Sequence, residues 1–315
     1  MTPRLFHPGT CLVLASWLAG TLPAETVELL YAPSDGAVFD VSETTERQVA
    51  GTNRDTVTDS RTRLSRVRVE RLDEGFSNRT TILSVTLLRN GSNVSSPVFS
   101  AMSNLELDYR LDDEGNLVGI TGYDQLPAAT RATLPESLAK TLTGLLDYTS
   151  IQRAEENAYR RIYGALPGRS LETGVAVASA ATHVLPFGGS LPLYAVDILE
   201  RRTDAAETLK LTRRYHTDPV ALAGEFEAIA ESDLLATANG LQTMVPEGQS
   251  AVSVQGSVET LLDSDGLLVA SQTATLEYNL SLSQSSGDPV EVQVRETGRF
   301  SVKAAENQIA SQSGE

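Results

Sequence analysis

The 315-residue sequence predicts an α+β protein dominated by antiparallel sheet. Three observations predict it. Apolar and polar residues alternate with a period of two over long stretches, the pattern of strands with one wet face. Turn signals built on Gly, Asn, Asp and Pro separate these stretches. Two intervening segments carry apolar residues at a spacing of three to four, the period of a helix packed on one side. The sheet is expected as two related lobes or as one curved, half-barrel-like sheet, with two or three amphipathic helices.

Residues 1–24 read as an export signal. Arg4 supplies positive charge, and Cys11 to Gly20 is an apolar run too short to span a bilayer. Cleavage is expected near Ala24, which places the mature chain in the periplasm or outside the cell. It removes the single cysteine, Cys11, and the single tryptophan, Trp17. A mature chain without a thiol has no disulfide, thiolate metal site or cysteine nucleophile. The formal charge is −16, with lysine only at 140, 210 and 303. Such a balance repels nucleic acid and anionic lipid headgroups. No second apolar run is long enough for an integral membrane span.

Residues 25–126 form an N-terminal β-meander. Val67 and Val69 alternate with Arg66, Arg68 and Glu70, and Ile82, Val85 and Leu87 recur among Thr and Ser. Asn90-Gly91 predicts a hairpin, because both central residues of a type I′ turn need positive φ. Leu105, Leu107, Tyr109 and Leu111 run into a turn at Gly115, and Leu117, Val118 and Ile120 return.

Residues 127–166 form a helical segment, with a helix over 135–163. Pro135 suits the first helical position. Leu134, Leu138, Leu142 and Leu145 make one stripe, and Ile151, Ala154, Ala158 and Ile162 continue it until Gly164 and Pro167. Residues 167–305 form a C-terminal β region with an inserted helix, 219–245. Leu193, Ala195 and Ile198 pair with Leu209 and Leu211 across a polar turn at 203–206. Asp218 caps the inserted helix and Pro219 begins it, with Phe226, Ile229, Leu234 and Leu241 in its stripe. Leu276, Tyr278, Leu280 and Leu282 then alternate with polar residues. Gly287-Asp288-Pro289 turns the chain into Val290, Val292, Val294, Phe300 and Val302. Residues 306–315 are a flexible tail.

The Gly115 turn recurs at Gly266, 151 residues on, with similar flanks. This suggests an internal duplication. In the second half a helix stands where the first half has the loop Gly91–Ser103.

Chemistry-bearing motifs are few. Ser137-Leu138-Ala139-Lys140 matches the S-x-x-K spelling of penicillin-recognising serine hydrolases, without the companion S-D-N and K-T-G. It reads as a solvated pair on a helix, and a hydrolase using Ser137 and Lys140 is a remote alternative. Asp112-Asp113-Glu114-Gly115 and Asp263-Ser264-Asp265-Gly266 resemble the start of a calcium loop. Position 12 counted from Asp263 is Ala274, and strands flank both, so they read as hairpin turns. His183 and His216 show no zinc spacing. Glu155, Glu156, Glu225, Glu227 and Glu231 read as a solvated helix face. Asn78, Asn90, Asn93 and Asn279 match glycosylation sequons. No catalytic, cofactor-binding or metal-binding residue and no cofactor is predicted.

The element order resembles a family of uncharacterised exported bacterial proteins built from two β-meander/helix halves. The resemblance rests on the Asp-x-x-Gly turn followed by Val118-Gly119-Ile120-Thr121-Gly122, on Leu166-Pro167 with Gly174, and on the second Asp-x-x-Gly turn. It covers most of residues 25–303. The chain departs from it at Gly174-Val175-Ala176-Val177, where that family carries Gly-Asp-x-Trp. More distantly, the pattern is similar to periplasmic lipoprotein-carrier half-barrels, which implies a space for acyl chains and no catalytic residues. The expected function is a non-enzymatic exported binding or carrier protein of the envelope for an apolar, lipid-like ligand. The alternative is a structural or protein-interaction module of the envelope.

Overall fold

The computed structural model describes residues 25–305, apart from 53, 96, 127, 129–147, 165, 185–188, 202–207, 246–248, 263–265, 267 and 283–289. The export signal, Ser137 and Lys140, the turns at 203–206 and 287–289, and the tail 306–315 lie outside the described residues.

In chain order, the first half contains β1 (Thr26–Glu28), β2 (Val38–Gly51), β3 (Arg54–Arg71), β4 (Phe76–Arg89), β5 (Ser92–Asn93), α1 (Pro97–Met102), β6 (Glu106–Leu111) and β7 (Leu117–Thr121). Then follows α2 (Tyr148–Ile162). The second half contains β8 (Ser170–Glu172), β9 (Ala176–Val184), β10 (Ser190–Arg201), β11 (Leu209–His216), α3 (Pro219–Ala223), α4 (Glu231–Thr237), β12 (Gln249–Leu262), β13 (Val269–Leu282) and β14 (Val290–Ala304).

Of the two expected arrangements, two lobes or one curved sheet, the single curved sheet is the one formed. One antiparallel sheet runs β7-β6-β4-β3-β2-β14-β13-β12-β11-β10-β9. β14 joins the halves, pairing Phe300 with Glu43 of β2 and with Gln272 of β13. Among the described residues no pairing joins β7 to β9, so the curved sheet is open. Among the described residues the helices are few and short, and the fold is mostly β rather than a balanced α+β.

The two halves repeat one order: three strands, a helical insertion, then a hairpin. β2-β3-β4-α1-β6-β7 corresponds to β9-β10-β11-α3-α4-β12-β13, and the corresponding strands take the same order in the sheet. The expectation that the first half lacks a helix after Gly91 is therefore corrected by α1. Six residues are too few to show a stripe, and its Ala101 and Met102 are held by tertiary burial. Backbone details also recur. Gly36 N–H donates to Val69 O (2.9 Å) and Gly174 N–H to Leu199 O (2.8 Å), with φ of 74° and 78°. A register shift precedes both glycine turns, at Arg110/Leu111 and Leu261/Leu262.

Both turns clamp the segment that follows β1. A Cβ on Gly115 would lie 2.3 Å from Tyr31 Cβ, and one on Gly266 would lie 2.4 Å from Ala32 O. Ala32 N–H donates to Gly266 O at 2.8 Å, and β1 pairs with β8. Around this crossing lies the central core of Leu29, Tyr31, Val69, Phe76, Leu111, Leu171, Leu199 and Leu262.

The helix expected over 219–245 is two short helices instead. Gly224 ends α3, and Asp233 Oδ2 accepts from Ala230 N–H to start α4. The N-cap at Asp218 is present, its carboxylate accepting from Val220 N–H at 2.9 Å. Such a cap contributes about 1 kcal/mol. Leu222 and Leu234 pack on Tyr194, Val196 and Ile198 of β10. Leu199, of opposite parity on β10, packs with Tyr159, Ile162 and Tyr163 of the α2 region. The helices therefore cover opposite faces of the sheet, because side chains alternate along a strand. The face under α2 is called inner below. On the other face, cross-strand pairs such as Arg66–Asp40 and Arg295–Glu277 are exposed and contribute little. Among the described residues, no helix is long and apolar enough to cross a membrane.

Candidate ligand-binding cavity

The alternation of β3 sets one side of the site. Val69, Val67, Ser65 and Arg63 share the inner face, and β4 places Phe76, Asn78, Thr80 and Ile82 there. Above them, α2 turns Glu155, Ala158, Tyr159 and Ile162 toward the sheet. Between helix and sheet lies a cavity of about 90 Å³. Phe39, Val41, Ile162, Tyr163, Phe300 and Val302 form its apolar walls. Aromatic edges and faces interlock there: Tyr159 and Tyr163 stack at 4.7 Å, and Tyr163 meets Phe300 edge-on at 5.8 Å.

A buried polar cluster closes one side. Arg63 Nη1 lies 2.5 Å from Glu155 Oε1, with side chains 7% and 12% exposed. Arg63 also donates to Tyr109 Oη (3.1 Å) and Ser65 Oγ (3.0 Å). The Tyr109 hydroxyl in turn donates to Glu155 Oε1 at 2.5 Å. Burial alone would raise the Glu155 carboxyl, but the Arg63 guanidinium and the Tyr109 hydroxyl hold it below the usual carboxylate range. Burial and the Glu155 charge push the Tyr109 phenol far up, so it stays a donor. Nearby, Asn78 Nδ2 donates to Tyr31 Oη at 2.7 Å. Burial pushes the Tyr31 phenol up to about 12 against the opposing Asn78 hydrogen bond.

The second half holds a different buried ion cluster on its inner face. Asp197 is wholly buried and takes Arg213 at 2.5 and 2.7 Å and Arg169 at 2.8 Å. Burial alone would raise its carboxyl, and the two guanidiniums reverse that to a net lowering. Asp197 and Glu155 therefore both titrate lower folded than unfolded. Their contribution is complete above the unfolded carboxylate values and is lost as pH falls through the folded ones. Urea unfolding measured from pH 7 to pH 2 is expected to show stability dropping below about pH 4. Asp197→Asn should flatten that acid limb, and an unchanged limb would refute the assignment.

The residues singled out from sequence fall in varied places. Asp112 is consumed by its own turn, accepting from Glu114 N–H, Asn116 N–H and Asn116 Nδ2. This is the backbone role of an Asx turn. Among the described residues no group of three or more metal-ligating side chains converges. His183 sits on β9 beside Tyr278, and His216 Nδ1 accepts from Asp218 N–H at 2.7 Å. Glu225, Glu227 and Glu231 are exposed as expected. Glu155 is a correction: it turns to the sheet instead of solvent, its side chain 12% exposed, because Arg63 stands opposite it. Asn78 is buried too, so that sequon is closed in the folded chain. Asn90 and Gly91 have φ of 49° and 77°, as the predicted type I′ hairpin requires. Sequence reasoning missed Arg63 and Asp197 as site residues. Their parity carries the signal, since each charge shares the phase of buried neighbours, Val69 for one and Leu199 for the other.

No family model and no curated protein matches this chain. Among solved structures it is similar to lipovitellin, in a structure titled for its lipid–protein interactions, at 9% identity and TM-score 0.44. That match covers 87% of this chain and 26% of the lipovitellin chain, so this protein spans about a quarter of that one. It is also similar to DynF of the dynemicin biosynthesis pathway of Micromonospora chersina, at 8% identity and TM-score 0.21, over 96% of each chain. A third is OccK5 (OpdH) of Pseudomonas aeruginosa, at 8% identity and TM-score 0.25, covering 86% of this chain and all of that one.

Proposed function

We propose that this protein is a non-enzymatic, exported binding or carrier protein of the bacterial envelope, with an apolar ligand between α2 and the sheet. The observation that supports this most is the cavity itself, walled by Phe39, Val41, Tyr163, Phe300 and Val302. Interiors are normally close-packed, and an apolar cavity takes apolar guests. About 90 Å³ is less than the roughly 150 Å³ that accommodates benzene. A long acyl chain therefore requires α2 to lift. Polar ties from the α2 region to the sheet include Arg63–Glu155, Tyr109–Glu155 and a 3.2 Å bond from Gln272 Nε2 to Ile162 O.

Native mass spectrometry of the protein extracted gently from its envelope tests the reading. A mass increment that is lost on organic extraction is expected. Repeated absence of any increment, with no uptake of acyl probes, would sink it. The structural or interaction reading finds support in β9, an edge strand of nine residues with neither charge nor proline. Such an edge lacks the usual protection against pairing with another chain. Crosslinking in cells that traps an envelope protein through β9, with an empty cavity, would favour that reading. Labelling of Ser137 by a fluorophosphonate would instead favour the hydrolase.

A further inference from the structure

Two residues that line the cavity each carry a buried polar atom with no partner among the described residues: Asn78 its Oδ1 and Tyr159 its hydroxyl. Asn78 is 8% exposed, and both side chains line the cavity. They belong to one end of it. Asn78 pairs across the sheet with Tyr109, and the Tyr109 and Tyr159 rings are 5.7 Å apart. Unsatisfied buried polar groups are costly, and where they face a cavity they mark where a guest makes hydrogen bonds.

We infer that the ligand is an uncharged apolar alcohol whose hydroxyl seats between Asn78 and Tyr159. This deepens the carrier reading and rests on it. A hydroxyl both donates and accepts, so one group can donate to Asn78 Oδ1 and accept from Tyr159. A carboxylate cannot donate to Oδ1. The Arg63 guanidinium that might attract a carboxylate is already committed to Glu155, Tyr109 and Ser65. Glu43 also lines the cavity, adding negative charge. An ammonium is disfavoured for a different reason: it only donates, so it cannot accept from the Tyr159 hydroxyl. The apolar body then lies along Phe39, Val41, Phe300 and Val302 toward the mouth of the cavity.

The test is an NMR titration of the delipidated full chain at pH 7 with 1-hexanol, hexanoate and hexylammonium, which share one apolar tail; each exceeds the cavity of about 90 Å³, so each needs the same movement of α2. Hexanol is expected to bind at least tenfold more tightly than either ion. Tyr159→Phe keeps the ring and removes only the hydroxyl, so it preserves packing, and it should weaken hexanol several-fold while leaving the ions unchanged. Asn78→Leu places at this site the residue type found at Leu211, which occupies the corresponding position in the second half, and should abolish the preference for the alcohol. Equal or tighter binding of hexanoate or hexylammonium overturns the hydroxyl assignment and leaves the carrier reading standing. Unchanged hexanol affinity in both variants does the same. Binding of none of the three, with water alone in the cavity, overturns the inference and counts against the carrier reading as well.

Discussion

Gly115→Ala and Gly266→Ala are each expected to destabilise the protein by about 4 kcal/mol, taking about 2 for backbone strain and about 2 for overpacking. Both glycines have positive φ, 94° and 86°, and both would drive a Cβ into the segment after β1. Gly91→Ala is the control. It has φ 77° but nothing within 4 Å of a new Cβ, so only the backbone strain of about 2 kcal/mol remains. Chemical denaturation of the three variants separates a clamp from an ordinary turn. Equal losses in all three would mean that the contact with Tyr31 and Ala32 carries no weight.

The second large effect lies in the cavity. Glu155→Ala should cost about 3–5 kcal/mol, because it leaves the Arg63 guanidinium buried without a counter-charge. Arg63→Met should cost less, since the stranded Glu155 carboxyl can take up a proton and become neutral. The double variant Arg63→Met, Glu155→Met should recover most of the loss, as buried pairs replaced by apolar side chains commonly do. Urea unfolding of the four proteins closes the cycle. Additive losses would show that the two side chains act independently, contrary to the 2.5 Å contact.

Much of the architecture was legible from particular residues. The strict alternation of Leu276, Tyr278 and Leu280 marked β13 because one face of that strand is buried and the other is wet. Asn90-Gly91 and Asp218-Pro219 were legible because the backbone demands those residue types locally. The joining of the halves was not legible. β14 finds β2 across more than 200 residues of chain, and no local pattern encodes that partner. The long helix expected at 219–245 failed for a related reason. Phe226, Ile229 and Leu234 do share one apolar surface, but the helix stops after Ala223 and resumes only at Glu231, and the chain packs onto β10 in two pieces.

Half of the cavity was visible and half was not. The apolar inner positions follow from periodicity alone. Glu155 looked like one of several acids on a helix, and only the partner opposite it decides whether such an acid is solvated. Arg63 sits among Arg61, Arg66 and Arg68, so its burial is hidden by its neighbours unless the strand phase is carried back from Val69. Asn78 was hidden by its sequon, which reads as surface.

Among the described strands β14 is the last in chain order and yet stands in the middle of the sheet, between β2 and β13. A chain still emerging, or one cut before Val290, holds two five-stranded pieces with four open edges instead of one sheet with two. The order of synthesis and the order of assembly thus run against each other. Until β14 pairs on both sides, neither piece has the partner that closes its inner edge. Loss of β14 is therefore loss from the centre of the sheet, not from its edge.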